Sequence, residues 1–163
     1  MLIRQISAID GIKRIHFMTS NPWDFWEELI DEIATNPKLD RFIHLPIQSG
    51  SNRILELMNR GYSREDYLDL INRIKAKVKD VQFGTDIIVG FPGETEDDFR
   101  ATVDLVKQVG FQVAFAAQYS PRPGTAAWRI YKDDIPAKIK KERWETLDNL
   151  VNRPNLKSRP HIH

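Results

Sequence analysis

The chain contains 163 residues, 24 of them basic and 23 acidic, and its formal net charge is +1 at pH 7. This near balance is not typical of a general polyanion-binding protein, so any contact with RNA is expected to be local. No apolar run approaches the roughly 20 residues that span a bilayer, and residues 1–10 lack a secretory signal. We therefore expect a cytoplasmic protein with no membrane association. The absence of cysteine excludes disulfides, thiolate nucleophiles and thiolate-bound clusters made by this chain.

The first half of the sequence predicts two strand–helix units. Residues 14–18 form an apolar run typical of a strand, and Asn21-Pro22 is typical of a helix start. Residues 41–47 are typical of a buried strand, and two helices follow it; the longer begins at Ser63, which pairs with Asp66 as in a capping box. The apolar positions of the first helix recur at helical spacing: Trp23, Trp26, Leu29, Ile30 and Ile33.

The second half repeats the same alternation. Residues 81–89 include three consecutive apolar positions, which is typical of a strand covered on both faces. Thr95 with Asp98 predicts the start of the next helix, and Gly110 its end in a left-handed conformation. Residues 113–117 are the next predicted strand.

A single domain is expected over residues 1–152. The last helix is predicted to begin near Pro136, and residues 153–163 are expected to form an irregular tail. Strand followed by helix, roughly four times, predicts an α/β fold with about four parallel strands and flanking helices. Both an open doubly wound sheet and part of a β/α barrel have this pattern. In both, ligands bind at the carboxyl ends of the strands.

Polar, glycine-containing segments follow the predicted strands, so they are expected to meet at one edge of the sheet. Hydroxyl and amide groups orient a small ligand, and glycine lets backbone N–H groups approach it closely. Residues 93–96 are interpreted as a capped turn, because two glutamates there would repel a phosphate. Neither a dinucleotide-binding glycine motif nor a P-loop motif is present. The segments are 19–22 (TSNP), 48–51 (QSGS), 90–95 (GFPGET) and 119–125 (YSPRPGT).

The histidines do not predict a metal site. His16 and His44 lie in strand-like apolar runs and are interpreted as buried, hydrogen-bonded side chains. His161 and His163 lie in the expected tail and are interpreted as exposed. His16 and His44 have no neighbouring ligand at metal spacing, and weak metal binding is the alternative for His161 and His163.

Three polar residues near strand or helix ends are candidates for ligand binding. Asp86 lies among apolar strand residues, where an ionised carboxylate requires either a polar ligand or a neighbouring basic residue. Gln48 either contacts the ligand or satisfies backbone groups. Arg60 either contacts the ligand or is a solvated cation at a helix end.

Four segments together closely resemble the MiaB family of methylthiotransferases in their residues, order and spacing. The resemblance covers approximately residues 2–152. No single segment is specific for this family, but the four segments together are. They are 44–51 (HLPIQSGS), 57–62 (LMNRGY), 85–95 (TDIIVGFPGET) and 119–125 (YSPRPGT).

The resemblance implies a radical S-adenosylmethionine (SAM) fold, an incomplete β/α barrel in which a 4Fe–4S cluster reductively cleaves the cofactor to a 5′-deoxyadenosyl radical. It implies an enzyme that installs a methylthio group at the 2-position of N6-isopentenyladenosine next to the anticodon. The implied partner is the anticodon stem-loop of tRNA. Methylthiotransferases acting on threonylcarbamoyladenosine or on a ribosomal protein remain alternatives, as does a non-catalytic SAM- or RNA-binding module.

The resemblance also implies cofactor-binding residues. Gln48, Arg60 and Asp86 match barrel positions that contact SAM in related enzymes. Their groups suit that role, since amides and carboxylates bond hydroxyl or amino groups and guanidinium pairs with carboxylate. Arg122 is interpreted either as a contact to tRNA phosphate or cofactor or as a turn-stabilising residue. Weaker candidates for the same pocket are Ser49, Ser51 and Ser20.

The sequence departs from the family in lacking every cluster-binding cysteine and the RNA-binding TRAM domain. Three thiolates hold a 4Fe–4S cluster while leaving one iron for the cofactor. We therefore expect the carboxyl-terminal portion of the barrel, with no catalytic residue of its own and no activity without the cluster-binding regions. Uncovered strand edges and apolar surface predict self-association of such a piece.

Overall fold

The computed structural model describes residues 2–16, 21–22 and 25–156. Ser20, Trp23, His161 and His163, all named above, lie outside these residues. The helices are α1 Leu2–Ser7, α2 Glu27–Thr35, α3 Asn52–Leu57, α4 Arg64–Lys77, α5 Glu96–Val109, α6 Ala126–Ile130, α7 Ala137–Leu147 and α8 Arg153–Leu156, with a π-helical turn at Asp148–Asn152.

A parallel sheet confirms the predicted α/β class. It consists of β1 Phe42–His44, β2 Gln82–Val89 and β3 Val113–Gln118 in the order β1-β2-β3. The described residues thus contain three strands rather than about four. At the first predicted strand, Ile15 makes only an isolated parallel bridge to Leu39, and residues 17–20 lie outside the described ranges.

Local capping was predicted correctly. Ser63 and Asp66 form a capping box at α4, and Thr95 and Asp98 form one at α5. Gly110 ends α5 in the left-handed region with a φ of 72°. These devices involve residues at most three positions apart or a single glycine, so the local sequence suffices to specify them.

Helix boundaries that depend on tertiary contacts differ from the predictions. α2 begins at Glu27 rather than at Asn21-Pro22, and Trp26, expected on its buried face, is exposed before its first turn. The irregular tail expected from residue 153 begins instead as the short helix α8.

The core lies between the sheet and the helices on one of its faces. Along β2, Phe83, Ile87 and Val89 are buried in this core, whereas Asp86 and Ile88 alternate with them and are only partly buried. The opposite face of the sheet is therefore the one that presents polar chemistry. Fully buried core side chains include Ile30, Ile33, Ile43, Leu45, Ile54, Leu55, Tyr67, Ile71 and Ile74.

The outer edge of β3 is capped by side chains from the last helical segment. Trp144 Nε1 donates to the Ala116 carbonyl at 2.8 Å. The Asn152 amide donates to the Ala114 carbonyl at 2.8 Å and accepts from its N–H at 3.1 Å. These bonds occupy backbone groups that an incoming strand would otherwise pair with.

Gly50 allows the loop after β1 to pack directly on the backbone of α5. A Cβ atom on Gly50 would lie 2.5 Å from Thr102 Cα and 2.6 Å from the Ala101 carbonyl oxygen. The Gly50 N–H donates to Thr102 Oγ1 at 2.9 Å. Since both obstructing atoms belong to a helix backbone, this contact cannot be relieved by a rotamer change.

We expect Gly50→Ala to lower the free energy of unfolding by about 3 kcal/mol, because the added methyl group must separate the loop from α5. Gly110→Ala is the matched control: a Cβ there meets open space and only the positive φ is unfavourable, which costs about 1 kcal/mol. Urea unfolding of both variants measures the difference. A loss at Gly110 equal to that at Gly50 would contradict the packing argument.

Candidate functional site

A cavity of about 650 Å³ lies at the carboxyl ends of β2 and β3, where the sequence placed the ligand site. Its walls come from the end of α3, from the loops after β2 and β3, and from α6 and the residue after it. Side chains that define its chemistry are Arg60, Ile88, Phe91, Tyr119, Arg122 and Tyr131.

Three aromatic rings form one wall of this first cavity. Phe91 meets Tyr119 edge-on at a centroid distance of 5.1 Å and Tyr131 at 5.7 Å. The Tyr131 hydroxyl donates to the Leu57 carbonyl at 3.3 Å. Such a wall provides apolar contact area for a planar ring.

A second cavity, of about 360 Å³, adjoins the first along the open face of the sheet. Ile88 and Ala117 line both cavities, so ligands bound in the two would lie side by side. Asp86 and Phe115 also line the second cavity, and Phe115 is 59% exposed. These two residues are register partners on β2 and β3.

Asp86 is held by His44. The His44 Nε2 atom lies 3.1 Å from Asp86 Oδ2, and the imidazole is buried while the Asp86 side chain is 42% exposed. The buried, hydrogen-bonded state predicted for His44 is therefore observed. His16 differs, because its ring is exposed and bonds Asp40 at 3.1 Å. The second Asp86 oxygen, Oδ1, bonds none of the described residues, and Asp86 lines the second cavity.

Gln48 lies beside Asp86 because of a bulge in the sheet. His44 pairs with Gly84, and Gln48 pairs with Ile87. His44 and Gln48 are four residues apart, whereas Gly84 and Ile87 are three apart, so one extra residue is inserted before Gln48. Gln48 absorbs the distortion with a φ of 70°. Its N–H donates to the Asp86 carbonyl at 2.9 Å and its carbonyl accepts from the Ile88 N–H at 2.9 Å. Its side-chain amide bonds none of the described residues.

Arg60 projects from the turn after α3 and lines the first cavity. Its guanidinium is exposed and makes no ion pair within the described part of the chain. The structure thus brings Gln48 and Asp86 together and places Arg60 on the adjoining cavity. Their roles toward a cofactor remain predictions.

Ser49 and Ser51 point elsewhere. Both are buried, and neither lines the two cavities. Ser49 Oγ lies 3.4 Å from Thr102 Oγ1, and Ser51 Oγ donates to Asp98 at 2.6 Å while capping α3. The structure therefore gives these hydroxyls a role in attaching the loop to α5.

The Asp98 carboxylate accepts several hydrogen bonds. It accepts from the hydroxyls of Ser51 and Thr95 and from the guanidinium of Arg53. Burial alone would raise the pKa of Asp98, but the hydrogen bonds from Arg53, Ser51 and Thr95 outweigh it and hold the pKa well below its usual range.

Glu94 and Arg143 form a buried ion pair behind the loop after β2. The Arg143 guanidinium donates to the Glu94 carboxylate at 2.6 Å, which also accepts from the Gly90 N–H at 2.7 Å. Burial raises the pKa of Glu94, against the opposing effects of Gly90 and Arg143. The segment 93–96 is a capped turn, as predicted.

Sequence reasoning missed two cations on α7. Lys140 and Arg143 are both buried and bond the loops that line the first cavity. One signal was present: with Leu147 they recur at spacings of three and four residues, which places them on the inward face of the helix.

The residues present do not fit an iron–sulfur cluster, since the chain contains no cysteine. Within residues 2–16, 21–22 and 25–156, no three His, Asp or Glu side chains converge as metal ligands. Over the same ranges, no helix combines the length and apolarity needed to cross a bilayer.

Comparisons with known proteins identify the family and the fold. The family model "Radical SAM superfamily" matches residues 1–106. The chain is 54% identical over 156 residues to a tRNA-2-methylthio-N(6)-dimethylallyladenosine synthase of Thermotoga petrophila, covering 96% of this chain and 35% of that relative. The synthase of the same name from Clostridium tetani is 50% identical over 152 residues, covering 93% and 33%. The chain thus spans about a third of these curated relatives.

A solved structure described as coproporphyrinogen III oxidase (HemN) from Escherichia coli, a radical SAM enzyme, has a TM-score of 0.66 to this chain at 18% identity. The likeness covers 86% of this chain and 32% of that one. Of the two folds that the sequence left open, this likeness supports part of a β/α barrel rather than an open doubly wound sheet. The resemblance to the MiaB family is confirmed.

The contribution of Asp98 to stability should depend on pH. Its folded pKa lies below the unfolded value of about 3.9, so its contribution is complete above about pH 5 and is lost as the pH falls through the folded pKa. We expect the difference in unfolding free energy between the wild type and Asp98→Asn to shrink below about pH 4. Denaturant titrations across this range measure it, with exposed Asp97→Asn as control; a constant difference would refute the assignment.

Proposed function

Because the chain belongs to the radical SAM superfamily, we propose that it is the cofactor- and substrate-facing part of a tRNA-2-methylthio-N6-dimethylallyladenosine synthase. Such an enzyme methylthiolates N6-isopentenyladenosine next to the anticodon. The observation that carries the proposal is the 54% identity to a synthase of this name over 96% of the chain. Since tRNA is the substrate, the protein acts in the cytoplasm.

The first cavity and the adjacent bulge bind S-adenosylmethionine in this proposal. The aromatic wall of Phe91, Tyr119 and Tyr131 contacts the adenine, as planar rings do. Gln48 and Asp86 bond hydroxyl or amino groups, because the Gln48 amide and Asp86 Oδ1 bond none of the described residues. Asp86 lines the second cavity and reaches the cofactor beside Ile88, which lines both cavities. The free guanidinium of Arg60 pairs with the cofactor carboxylate.

The second cavity receives the substrate base. Its walls of Ile88, Phe115 and Ala117 are apolar and suit a dimethylallyl group, and the exposed Phe115 ring offers a stacking surface for adenine. Arg122, exposed at the rim of the first cavity, contacts RNA phosphate. Local contact of this kind fits a chain whose net charge is only +1.

When bound, the cofactor supplies the radical that removes hydrogen from the substrate base, and this needs a reduced cluster. The chain offers no cluster ligand, so it contributes binding and orientation, and the cluster-binding regions contribute the electron. We propose that the chain is inactive without those regions.

The proposed activity is tested by exchange into a complete relative. We expect a Thermotoga petrophila synthase whose matching segment is replaced by residues 2–156 to restore methylthio-isopentenyladenosine in a host lacking its own synthase. Mass spectrometry of tRNA nucleosides is the measurement, and the unaltered synthase is the control. A methylthiolated threonylcarbamoyladenosine product, or modification of a ribosomal protein instead, would redirect the substrate assignment.

The cofactor site is tested on the 163-residue chain with S-adenosylhomocysteine, a stable analogue. We expect Asp86→Ala to weaken binding at least about tenfold, as loss of a charged hydrogen bond does. Asp104→Ala is the control, because that carboxylate is exposed on α5 and away from both cavities. Isothermal titration calorimetry measures the affinities. Wild-type chain that binds no analogue, or equal binding by Asp86→Ala, would contradict the site.

A further inference from the structure

Lys140 is a buried cation whose three donors are all satisfied. The residue is 5% exposed. Its ammonium donates to both carboxylate oxygens of Asp133, at 2.6 and 2.7 Å, and to the Tyr119 carbonyl at 3.0 Å. It also lies 5.3 Å from the centroid of the Tyr119 ring. The ammonium is therefore fixed in position between the Asp133 carboxylate and the Tyr119 carbonyl.

The alkyl stem of Lys140 packs against the loop after β2. A Cβ atom on Gly90 would overlap Lys140 Cγ, and Gly90 has a φ of 69°, a region that side chains rarely adopt. Glycine is therefore required at this position for two reasons, conformation and close approach. Through this contact Lys140 supports the backbone directly before Phe91.

Lys140 thus contacts each of the three segments that carry the aromatic wall. Gly90 precedes Phe91, Tyr119 is bonded directly, and Asp133 follows Tyr131 by two residues. The Phe91 ring meets those of Tyr119 and Tyr131 at centroid distances of 5.1 and 5.7 Å, so the spacing of the rings depends on how these segments are held.

Arg143, one turn further along α7, secures the same loop at its other end. It donates to the Glu94 carbonyl at 3.1 Å as well as to the carboxylate. The neighbouring Gly93 N–H donates to Asp134 at 2.8 Å, which ties this loop to the segment holding Asp133. Lys140 and Arg143, on one face of α7, therefore contact the segments that carry the three rings of the aromatic wall.

Stability alone does not explain a lysine at this position. Removing an ammonium from water is unfavourable, and an apolar side chain of similar volume packs equally well without that penalty. What the ammonium adds is a directional link between the segment of Asp133 and the segment of Tyr119.

We infer that Lys140 is a positioning residue that sets the spacing of the aromatic wall, so that affinity for the adenosyl part of the cofactor depends on it. The inference rests on the proposed function, because it assigns the first cavity to S-adenosylmethionine. Lys140 itself touches no ligand in this scheme and acts through Tyr119 and the neighbouring segments.

The test uses the paired variant Lys140→Met with Asp133→Asn, which removes both charges and keeps the side-chain volumes. We expect its Kd for S-adenosylhomocysteine, measured by calorimetry on the 163-residue chain, to rise about tenfold, while the urea midpoint stays close to that of the wild type. Lys138→Met, 85% exposed on the same helix, is the matched control and should leave both quantities unchanged.

A second variant covers the case in which the paired variant does not fold. Asp133→Glu keeps both charges and only lengthens the partly exposed partner by one methylene, which displaces the ammonium, so we expect a smaller rise in Kd, of about threefold. Unchanged affinity in a folded paired variant, or in Asp133→Glu if the paired variant unfolds, would overturn the inference. Absence of binding by the wild type would instead overturn the proposed function.

Discussion

The direct packing of the loop after β1 on the backbone of α5 is the constraint on which the site depends. Gly50 permits the approach, and the loop is then bonded through Ser51 to Asp98 and through the Gly50 N–H to Thr102. Because these contacts hold the loop against α5, the extra residue of the bulge lies next to β2. Gln48 consequently lies between the backbone groups of Asp86 and Ile88.

The residues that support the site are saturated with bonds, whereas the residues offered to a ligand are not. Asp98 and Lys140 use all or most of their bonding capacity within the protein. The Gln48 amide and the Arg60 guanidinium bond none of the described residues, although each borders the cavity system or Asp86. Polar groups that are free to bond, held by side chains that are already fully bonded, can bind a ligand without rearrangement of the protein. The fully bonded side chains come from α5 on one side of the site and from α7 on the other.

Features that nearby residues specify were predictable from the sequence, and those that depend on distant partners were not. The capping boxes at Ser63 and Thr95 and the parallel strand β2 required only local pattern. The predicted strand at 41–47 stops early because Pro46 has no N–H and the Ile47 N–H bonds Thr85 Oγ1 instead of the ladder. Ser49 and Ser51 belong to the motif at 44–51, but their hydroxyls bond residues of α5, about fifty residues along the chain. No local pattern reveals such distant partners. Lys140 and Arg143 were missed for the same reason, since Lys140 bonds Tyr119, 21 residues away, as well as the nearer Asp133, and Arg143 bonds Glu94, 49 residues away.

Binding the cofactor and generating a radical are separable tasks in this architecture. The cavity walls, the bulge and α7 belong to a unit without a single cysteine, so in the proposed function they position the cofactor and supply no cluster ligand. A buried cation such as Lys140 then has a further consequence. Because its charge is balanced by Asp133 and shielded from solvent, it fixes the wall without presenting a net positive field to a cationic sulfonium ligand. An unpaired lysine at the same position would repel that ligand, and the ion pair therefore reconciles a rigid wall with a positively charged cofactor.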